Sequence, residues 1–92
     1  MIYELRVEQA AVRQLNRLPK PVRARLWAKI RALPDAPRPP GTKALDGLLR
    51  GLRSLRVGDY RALYVVDDEA GVIRVTHVGH RSHVYTDAER RG

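Results

Sequence analysis

The sequence predicts an α+β domain in which a two-helix hairpin packs on one face of a four-stranded, mainly antiparallel sheet. The chain has 92 residues, which is enough for one core, so we expect a single domain over residues 1–92. Apolar residues recur at helical spacing in the first half and alternate at the strand period in the second. Segments rich in proline or glycine separate these patterns. The predicted order of elements is β-α-α-β-β-β.

The first third of the chain shows one strand pattern followed by two helical patterns. Residues 2–7 alternate between apolar and charged side chains, as a half-buried strand does. From about residue 8 to residue 18 the apolar side chains follow helical spacing instead. Pro21 suits the first turn of a second helix. The apolar stripe of that helix consists of Val22, Leu26, Ile30 and Leu33.

A loop then separates the helical hairpin from the second half of the chain. Residues 34–41 contain four of the six prolines, so they fit neither the interior of a helix nor a central strand. Residues 58–59 and 67–71 have the composition of hairpin turns. They connect three segments with strand character, which are residues 52–57, 60–66 and 72–78. We therefore expect a three-stranded meander, followed by a tail with a short helical turn at residues 87–91.

Composition limits the classes of protein to which the chain can belong. Hydrophobic residues make up 43% and charged residues 30%, so the chain can fold without help. Since it contains no cysteine, a disulfide framework and a thiolate metal site are excluded. No apolar stretch approaches the ~18 residues of a membrane span, and the first residues lack the pattern of a signal peptide. We expect a soluble, cytoplasmic protein without a membrane partner.

The charge of the chain is strongly unbalanced. It has 18 Lys plus Arg against 10 Asp plus Glu, which gives a formal net charge of +8. All but three of the cations are arginines, whose planar guanidinium group matches two phosphate oxygens at once. A GC-rich genome would also favour arginine over lysine, but it would not explain the net charge. The expected partner is a phosphate-rich molecule or an acidic protein.

Several kinds of site are disfavoured by the motifs. Neither GxxxxGK[ST] nor GxGxxG occurs, which argues against an NTPase or a dinucleotide enzyme. His77, His80 and His83 are spaced by three residues, as metal ligands can be. If the strand continued through them, His77 and His83 would share one side and His80 would face the other, with no cysteine or well-placed carboxylate to complete a set. We predict no metal site and no cofactor.

Strand parity places one arginine in an otherwise apolar strand. Arg61 shares a side of the predicted middle strand with Leu63 and Val65. Arginine is rarely buried unless it is paired. Two interpretations stay open: Arg61 forms a structural ion pair with Asp59 or an acidic residue of 67–69, or it belongs to a functional site on the face of the sheet that the helices leave free.

Three motifs in the second half resemble the RelE/ParE superfamily of bacterial toxins. They are Leu-Arg-Val-Gly-Asp-Tyr-Arg-Ala-Leu-Tyr at residues 55–64, Val-Gly-His-Arg at 78–81 and Val-Tyr at 84–85. A Lys-x-Leu-x-Gly segment at residues 43–47 fits as well, and the likeness extends over the whole chain. It implies a RelE-like fold. Members of the RelE branch are mRNA endonucleases that act in the ribosomal A site and are neutralised by an antitoxin, whereas ParE-branch members poison DNA gyrase.

The resemblance also implies catalytic residues. The arginine of Gly-Asp-Tyr-Arg matches Arg61, the arginine after Val-Gly-x matches Arg81, and the tyrosine of the closing Val-Tyr matches Tyr85. Arg56 lies on the strand that supplies further cations in RelE-type enzymes. The implied reaction needs no metal: arginines stabilise the charge of the phosphate, and Tyr85 takes the proton of the attacking 2′-hydroxyl, giving a 2′,3′-cyclic phosphate. The alternative for Tyr85 is an aromatic residue that only packs the tail onto the sheet.

Two positions depart from the family pattern. Leu52 and Ser54 stand where RelE-type enzymes often carry Lys or Arg. The neighbouring Arg53 has the opposite parity and would reach the site only if a bulge shifted the strand. Two other functions therefore stay open, a ParE-like gyrase inhibitor without nuclease activity and a non-catalytic basic domain that binds RNA or protein.

The remaining candidates are assigned to RNA contacts, and the expected partners follow from the resemblance. The partners are the 70S ribosome, its mRNA and an acidic cognate antitoxin that forms a hetero-oligomer with the toxin. Two of the candidates, His80 and His83, are also possible substitutes for Tyr85 in proton transfer. The alternative for the helix and loop cations is a solvated surface. The predicted RNA-binding residues are Arg23, Lys29, Arg31, Arg38, Lys43, Arg53, His80 and His83.

Overall fold

Three α-helices and a five-stranded sheet form the part of the chain that the computed structural model describes, residues 2–91. A 3₁₀ turn spans Gly47–Leu49. In chain order the other elements are β1 (Glu4–Val7), α1 (Gln9–Asn16), α2 (Lys20–Ala32), β2 (Thr42–Ala44), β3 (Arg53–Val57), β4 (Tyr60–Asp67), β5 (Val72–His80) and α3 (Val84–Arg91). The strands lie in the order β1-β5-β4-β3-β2. β1 is parallel to β5 and the other pairs are antiparallel.

The predicted α+β class, the helical hairpin and the β3–β4–β5 meander are confirmed, but the prediction of four strands is wrong. The fifth strand, β2, pairs antiparallel with β3 at the edge of the sheet. It has three residues, which is too short for alternation to be recognised. The tail differs as well, because α3 already begins at Val84 rather than at residue 87.

The helical hairpin follows from apolar spacing and from the position of the prolines. In α1 the buried residues are Ala11 and Leu15, four positions apart, and the chain leaves the helix before Pro19. In α2 a proline occupies the first turn, where its missing N–H costs no hydrogen bond. The buried residues of α2, Leu26 and Ile30, are again four positions apart. Both helices therefore present one apolar stripe to the sheet.

The sheet separates two apolar clusters. The larger one lies under α1 and α2 and contains alternate residues of the strands, among them Leu55, Ala62 and Tyr64. The smaller one consists of Leu49, Leu63, Val84 and Ala88 and joins β4 to the 3₁₀ turn and α3 on the opposite face. The α1–α2 hairpin thus covers one face of the sheet, as predicted, while α3 covers only part of the other.

A β-bulge interrupts the pairing of β4 with β5. Leu63 pairs with His77 and Tyr64 pairs with Val75, so that Thr76 has no counterpart in β4. The extra residue changes the parity of β5. As a result Val75 and Val78, three positions apart, both belong to the larger cluster.

The proline-containing loop is tied to the sheet by side-chain hydrogen bonds. The hydroxyl of Tyr64 donates to the carbonyl of Pro37 over 2.7 Å. Asp68 accepts hydrogen bonds from the Tyr3 hydroxyl over 2.5 Å and from Arg38 over 2.8 Å. These two donors, the tyrosine first, lower the pKa of the Asp68 carboxyl below its ordinary value. The loop is thereby held in place where it leads into β2.

None of the helices described between residues 2 and 91 is long and apolar enough to cross a bilayer.

The Tyr64 hydroxyl provides a test of how firmly this loop is anchored. Tyr64 is fully buried, so Tyr64→Phe removes one buried hydrogen bond, and we expect it to lower the free energy of unfolding by about 1 kcal/mol in urea denaturation. Tyr60→Phe is the matched control, since within the described residues the Tyr60 hydroxyl has no hydrogen bond. Equal effects of the two changes would contradict the anchoring role.

Candidate active site

A cavity of about 520 Å³ opens on the face of the sheet that carries α3. Four of its lining side chains are cations, and none of the lining residues is acidic. Such a lining attracts anions, and the arginine forks favour phosphate. The lining consists of Gly41, Thr42, Lys43, Leu45, Ser54, Arg56, Arg61, Arg81 and Tyr85. All four predicted catalytic residues are therefore brought together.

Two of the arginines are neighbours across the β3–β4 hairpin. Arg56 pairs with Arg61 in the antiparallel register, and both side chains leave the face opposite Leu55 and Ala62, which face the core. The turn between the strands needs a positive φ, which Gly58 supplies at 57°. Like charges opposite each other in a sheet are unfavourable, so folding alone does not account for this pair.

Arg61 is held by backbone carbonyls rather than by an acid. Its Nη1 donates to the carbonyl of Gly58 over 2.9 Å and to that of Tyr60 over 3.0 Å. Within residues 2–91 it forms no salt bridge, so the predicted alternative of an ion pair with Asp59 or the acids of 67–69 is wrong. Two backbone carbonyls therefore orient the guanidinium group without an acidic partner.

Asp59 instead orients Arg81. The backbone N–H of Arg81 donates to the Asp59 carbonyl over 2.7 Å, and the Arg81 Nε lies 3.6 Å from an Asp59 carboxylate oxygen. Both side chains of this ion pair are largely exposed, 62% and 65%, so the pair adds little to stability. Its consequence is positional, since it ties the residue that follows β5 to the β3–β4 turn.

Tyr85 approaches the cavity from the first turn of α3. Its ring packs against the smaller apolar cluster, in agreement with the predicted packing of the tail onto the sheet. Its hydroxyl oxygen lies 3.0 Å from Ser54 Oγ, and either group can donate in this hydrogen bond. Tyr85 therefore both packs and presents a polar atom to the cavity, so the two interpretations do not exclude each other.

Sequence reasoning missed Ser54 and Thr42 as lining residues. Ser54 entered that reasoning only as a missing cation. Its parity is the signal that could have identified it, because it lies two residues before Arg56 and shares its side of β3. Thr42 and the predicted Lys43 reach the cavity through β2, where Lys43 pairs with Ser54.

Arg53 lies outside the cavity. It points to the other side of β3, and its Nη2 donates to the Thr42 hydroxyl over 3.1 Å. No bulge shifts β3 against β4, since their register is continuous. The expectation that Arg53 leaves the site without a bulge is therefore confirmed. Together with Arg38 it lines a separate small pocket.

The histidines occupy other places. His80 and His83 line a separate groove of about 370 Å³, where their rings stack with centroids 6.4 Å apart. The strand does not continue through all three histidines, because β5 ends at His80 and the chain turns, so strand parity does not separate His80 from His83. His83 is also bonded to Asp87 over 3.0 Å. Neither histidine lines the cavity around Tyr85.

The helix and loop cations are dispersed. Arg23 donates to the carbonyl of Asn16, and Arg31 lies 5.0 Å from the centre of the Trp27 ring. Lys29 reaches the carbonyl of Arg56 over 3.4 Å. Arg38, which is bound to Asp68, faces a second small pocket. None of these side chains lines the cavity.

Metal binding has no obvious ligand set in the described part of the chain. No group of three or more His, Cys, Asp or Glu side chains there could hold a metal ion. The polar groups of the cavity wall are cations and hydroxyls instead.

Comparison with known protein families shows to which family the chain belongs. The family model of the ParE toxin of type II toxin–antitoxin systems matches residues 5–85, a span that includes the four predicted catalytic residues Arg56, Arg61, Arg81 and Tyr85. The chain belongs to the RelE/ParE superfamily of toxins. It is therefore a toxin of a type II toxin–antitoxin system.

Individual relatives lie on the RelE branch of this superfamily. The chain is 34% identical to Toxin RelE of Mycobacterium tuberculosis over 84 residues, covering 90% of this chain and 86% of that protein. It is also 34% identical to the mRNA interferase toxin RelE of Escherichia coli K12, covering 99% and 98% of the two chains.

Solved structures of RelE toxins share the fold. The toxin–antitoxin complex RelBE2 of M. tuberculosis matches with a TM-score of 0.76 and 33% identity over 88% of this chain and all of that one. A variant of E. coli toxin RelE in the free state matches with a TM-score of 0.77 and 29% identity over 99% and 98%. The RelE–RelB complex of Pyrococcus horikoshii matches with a TM-score of 0.76 and 28% identity, covering 91% of this chain and 100% of that one.

The like-charge pair of this toxin predicts a variant that is more stable than the wild type. Because Arg56 lies opposite Arg61, we expect Arg56→Gln to raise the free energy of unfolding by a few tenths of a kcal/mol in urea denaturation at low salt. The gain should shrink in 1 M salt, since salt screens exposed charges.

Arg50→Gln serves as the control for this prediction. Arg50 is also an exposed arginine, but it follows the 3₁₀ turn and has no arginine opposite it in a strand pair. Its removal should give no gain. A gain of equal size at both positions would show that the general positive charge, and not the pair in the cavity, is responsible.

Proposed function

We propose that this toxin is a ribosome-dependent mRNA endonuclease. The observation that carries the proposal is the convergence of Arg56, Arg61, Arg81 and Tyr85 on one cavity. The name of the E. coli relative, an mRNA interferase, supports the same substrate class.

The proposed reaction is transesterification within the RNA strand. The ribose 2′-oxygen attacks the adjacent phosphorus, so that an O2′–P bond forms and the P–O5′ bond breaks. The 2′-hydroxyl proton goes to the Tyr85 oxygen, and the departing 5′-oxygen takes up another proton. The products are a 2′,3′-cyclic phosphate and a free 5′-hydroxyl.

The arginines stabilise the charge that develops on the phosphate. A guanidinium group stays protonated at any working pH and donates to two oxygens at once. Arg61 is oriented by two carbonyls, and Arg81 lies beside Asp59, so both charges face the cavity before the reaction begins. In the proposed mechanism these guanidinium groups, rather than a metal ion, stabilise the negative charge of the transition state.

Proton transfer needs groups of a different kind. Tyr85 presents its hydroxyl to the same cavity as the four cations, and in this proposal its oxygen takes the proton of the attacking 2′-hydroxyl. Lys43 lines the same wall, and an ammonium group can release a proton whereas guanidinium holds its own. We assign Lys43 to protonation of the departing 5′-oxygen.

The remaining cations serve docking on the ribosome. Phosphate contacts give position and salt dependence but little sequence information. Arg23, Lys29, Arg31 and Arg38 lie on α2 and the following loop, outside the cavity, and suit this role. A net charge of +8 on 92 residues favours fast encounter with ribosomal RNA.

Gyrase inhibition is the second candidate. The family model that matches is that of ParE toxins, and β3 presents the neutral Ser54 to the cavity where a cation is common in RelE-type enzymes. In that case the cavity is a binding surface, supercoiling is blocked and RNA stays intact.

Cleavage of mRNA on programmed ribosomes tests the nuclease function. Wild-type protein should cut, and Arg61→Ala or Arg81→Ala should each slow single-turnover cleavage by about 10²–10³-fold, because each removes a charge aimed at the transition state. Arg6→Ala is the control, since Arg6 is exposed on β1, at the opposite edge of the sheet from β2.

The outcomes separate the candidate functions. No cutting by wild-type protein, or equal rates for the cavity variants and Arg6→Ala, overturns the nuclease function. Inhibition of gyrase supercoiling in the same preparation would then favour the ParE-like function. Growth that is unaffected when the protein is induced in bacteria would favour a non-catalytic basic domain.

An acidic antitoxin is the proposed regulator. The M. tuberculosis and P. horikoshii structures are toxin–antitoxin complexes, and a strongly basic surface is complementary to an acidic partner. Affinity capture of this toxin expressed from its native operon should return a small acidic protein that suppresses cleavage. Capture that yields no such protein contradicts this part of the proposal.

A further inference from the structure

Ser54 is a buried polar residue with one side-chain partner. Its exposed fraction is 3%, and its hydroxyl lies 3.0 Å from that of Tyr85. A buried hydroxyl without a partner would be costly, so the tyrosine satisfies Ser54. The same contact also determines where the tyrosine oxygen lies.

Tyr85 is held at both ends by different forces. Its ring packs against the smaller apolar cluster around Leu63 and Val84, while its hydroxyl meets Ser54. A tyrosine side chain has only two rotatable torsions before the ring plane is set, so packing plus one hydrogen bond fixes its oxygen.

We propose that Ser54 is a positioning residue that holds the Tyr85 oxygen at one point of the cavity wall in both of its protonation states. The inference rests on the nuclease function proposed above and adds a residue to it. Ser54 does not touch the substrate in this role; it acts through Tyr85.

A neutral hydroxyl suits this role better than a cation. Serine can donate to a negative phenol oxygen and, after rotation of its own O–H, accept from the protonated one. Lysine and arginine can only donate, so neither of them could accept a hydrogen bond from the protonated Tyr85 oxygen.

Charge at this point comes from other elements. Lys43 on β2, Arg56 on β3, Arg61 on β4 and Arg81 after β5 face the same cavity. Ser54 therefore orients the Tyr85 hydroxyl, while these four side chains supply the positive charge of the cavity. The serine at position 54 therefore replaces the cation that RelE-type enzymes often carry there without weakening catalysis.

A double-mutant cycle on single-turnover cleavage by programmed ribosomes tests the inference. Ser54→Ala should lower the maximal rate by about 10- to 100-fold and leave the protein concentration for half-maximal rate unchanged, because orientation and not binding is lost. In a Tyr85→Phe background the same change should alter the rate less than about 2-fold, since nothing remains to be positioned. Ser54→Thr keeps the hydroxyl and should recover most of the rate.

Thr76→Val is the matched control for the loss of a buried hydroxyl. Thr76 is 8% exposed, and its hydroxyl contacts Leu63 and His77, away from the cavity. The melting temperature of the Thr76→Val variant should fall about as much as that of Ser54→Ala, whereas its rate of cleavage should stay at the wild-type value. This comparison separates a structural role of the hydroxyl from a positioning role.

The other possible results contradict either the role of Ser54 alone or the nuclease function as well. A wild type that cuts together with an equally active Ser54→Ala variant overturns the inference alone. So does a loss of the same size in the wild-type and Tyr85→Phe backgrounds, or a loss that appears only in the concentration for half-maximal rate. A wild type that does not cut overturns the nuclease function and the inference together.

Discussion

The alternation of the β3–β4 hairpin determines both the core and the cavity. Leu55 and Ala62 enter the larger apolar cluster, while Ser54, Arg56 and Arg61 leave the opposite face. A register shift of one residue would exchange the two sets, placing arginines under the helices and apolar side chains in the cavity. Burial of the apolar set therefore holds the cations in place, and the hydrophobic effect stabilises an arrangement that charge repulsion opposes.

Those parts of the site that depend on strand periodicity can be predicted from the sequence. The period of two places Arg56 and Arg61 on one face without any knowledge of the partner strands. Arg81 and Tyr85 lie beyond the end of β5, in a turn and in α3, where no periodicity connects them to the strands. Only the resemblance to a family indicated their role. Strand parity also stops being informative for the histidines at this boundary, because the strand ends at His80.

Contacts between distant short segments account for most of what was missed. β2 has three residues and acquires its structure by pairing with β3, so its own composition carries little signal. That pairing places Lys43 beside Ser54. Likewise, the Ser54–Tyr85 contact joins residues 31 positions apart and depends on how α3 lies over the sheet. Propensity describes local preference, whereas these contacts depend on tertiary structure.

The bulge at Thr76 has a consequence for how this chain tolerates changes in length. A one-residue deletion within a strand usually reverses the facing of every side chain beyond it. At Thr76 a deletion would instead leave a regular ladder, because Tyr64 already pairs with Val75 and Leu63 with His77. The residues from His77 onward would keep their faces, and Arg81 would still follow the strand on the same side. Deletion of this one residue should therefore be tolerated, whereas deletion of a residue within β3 or β4 should not.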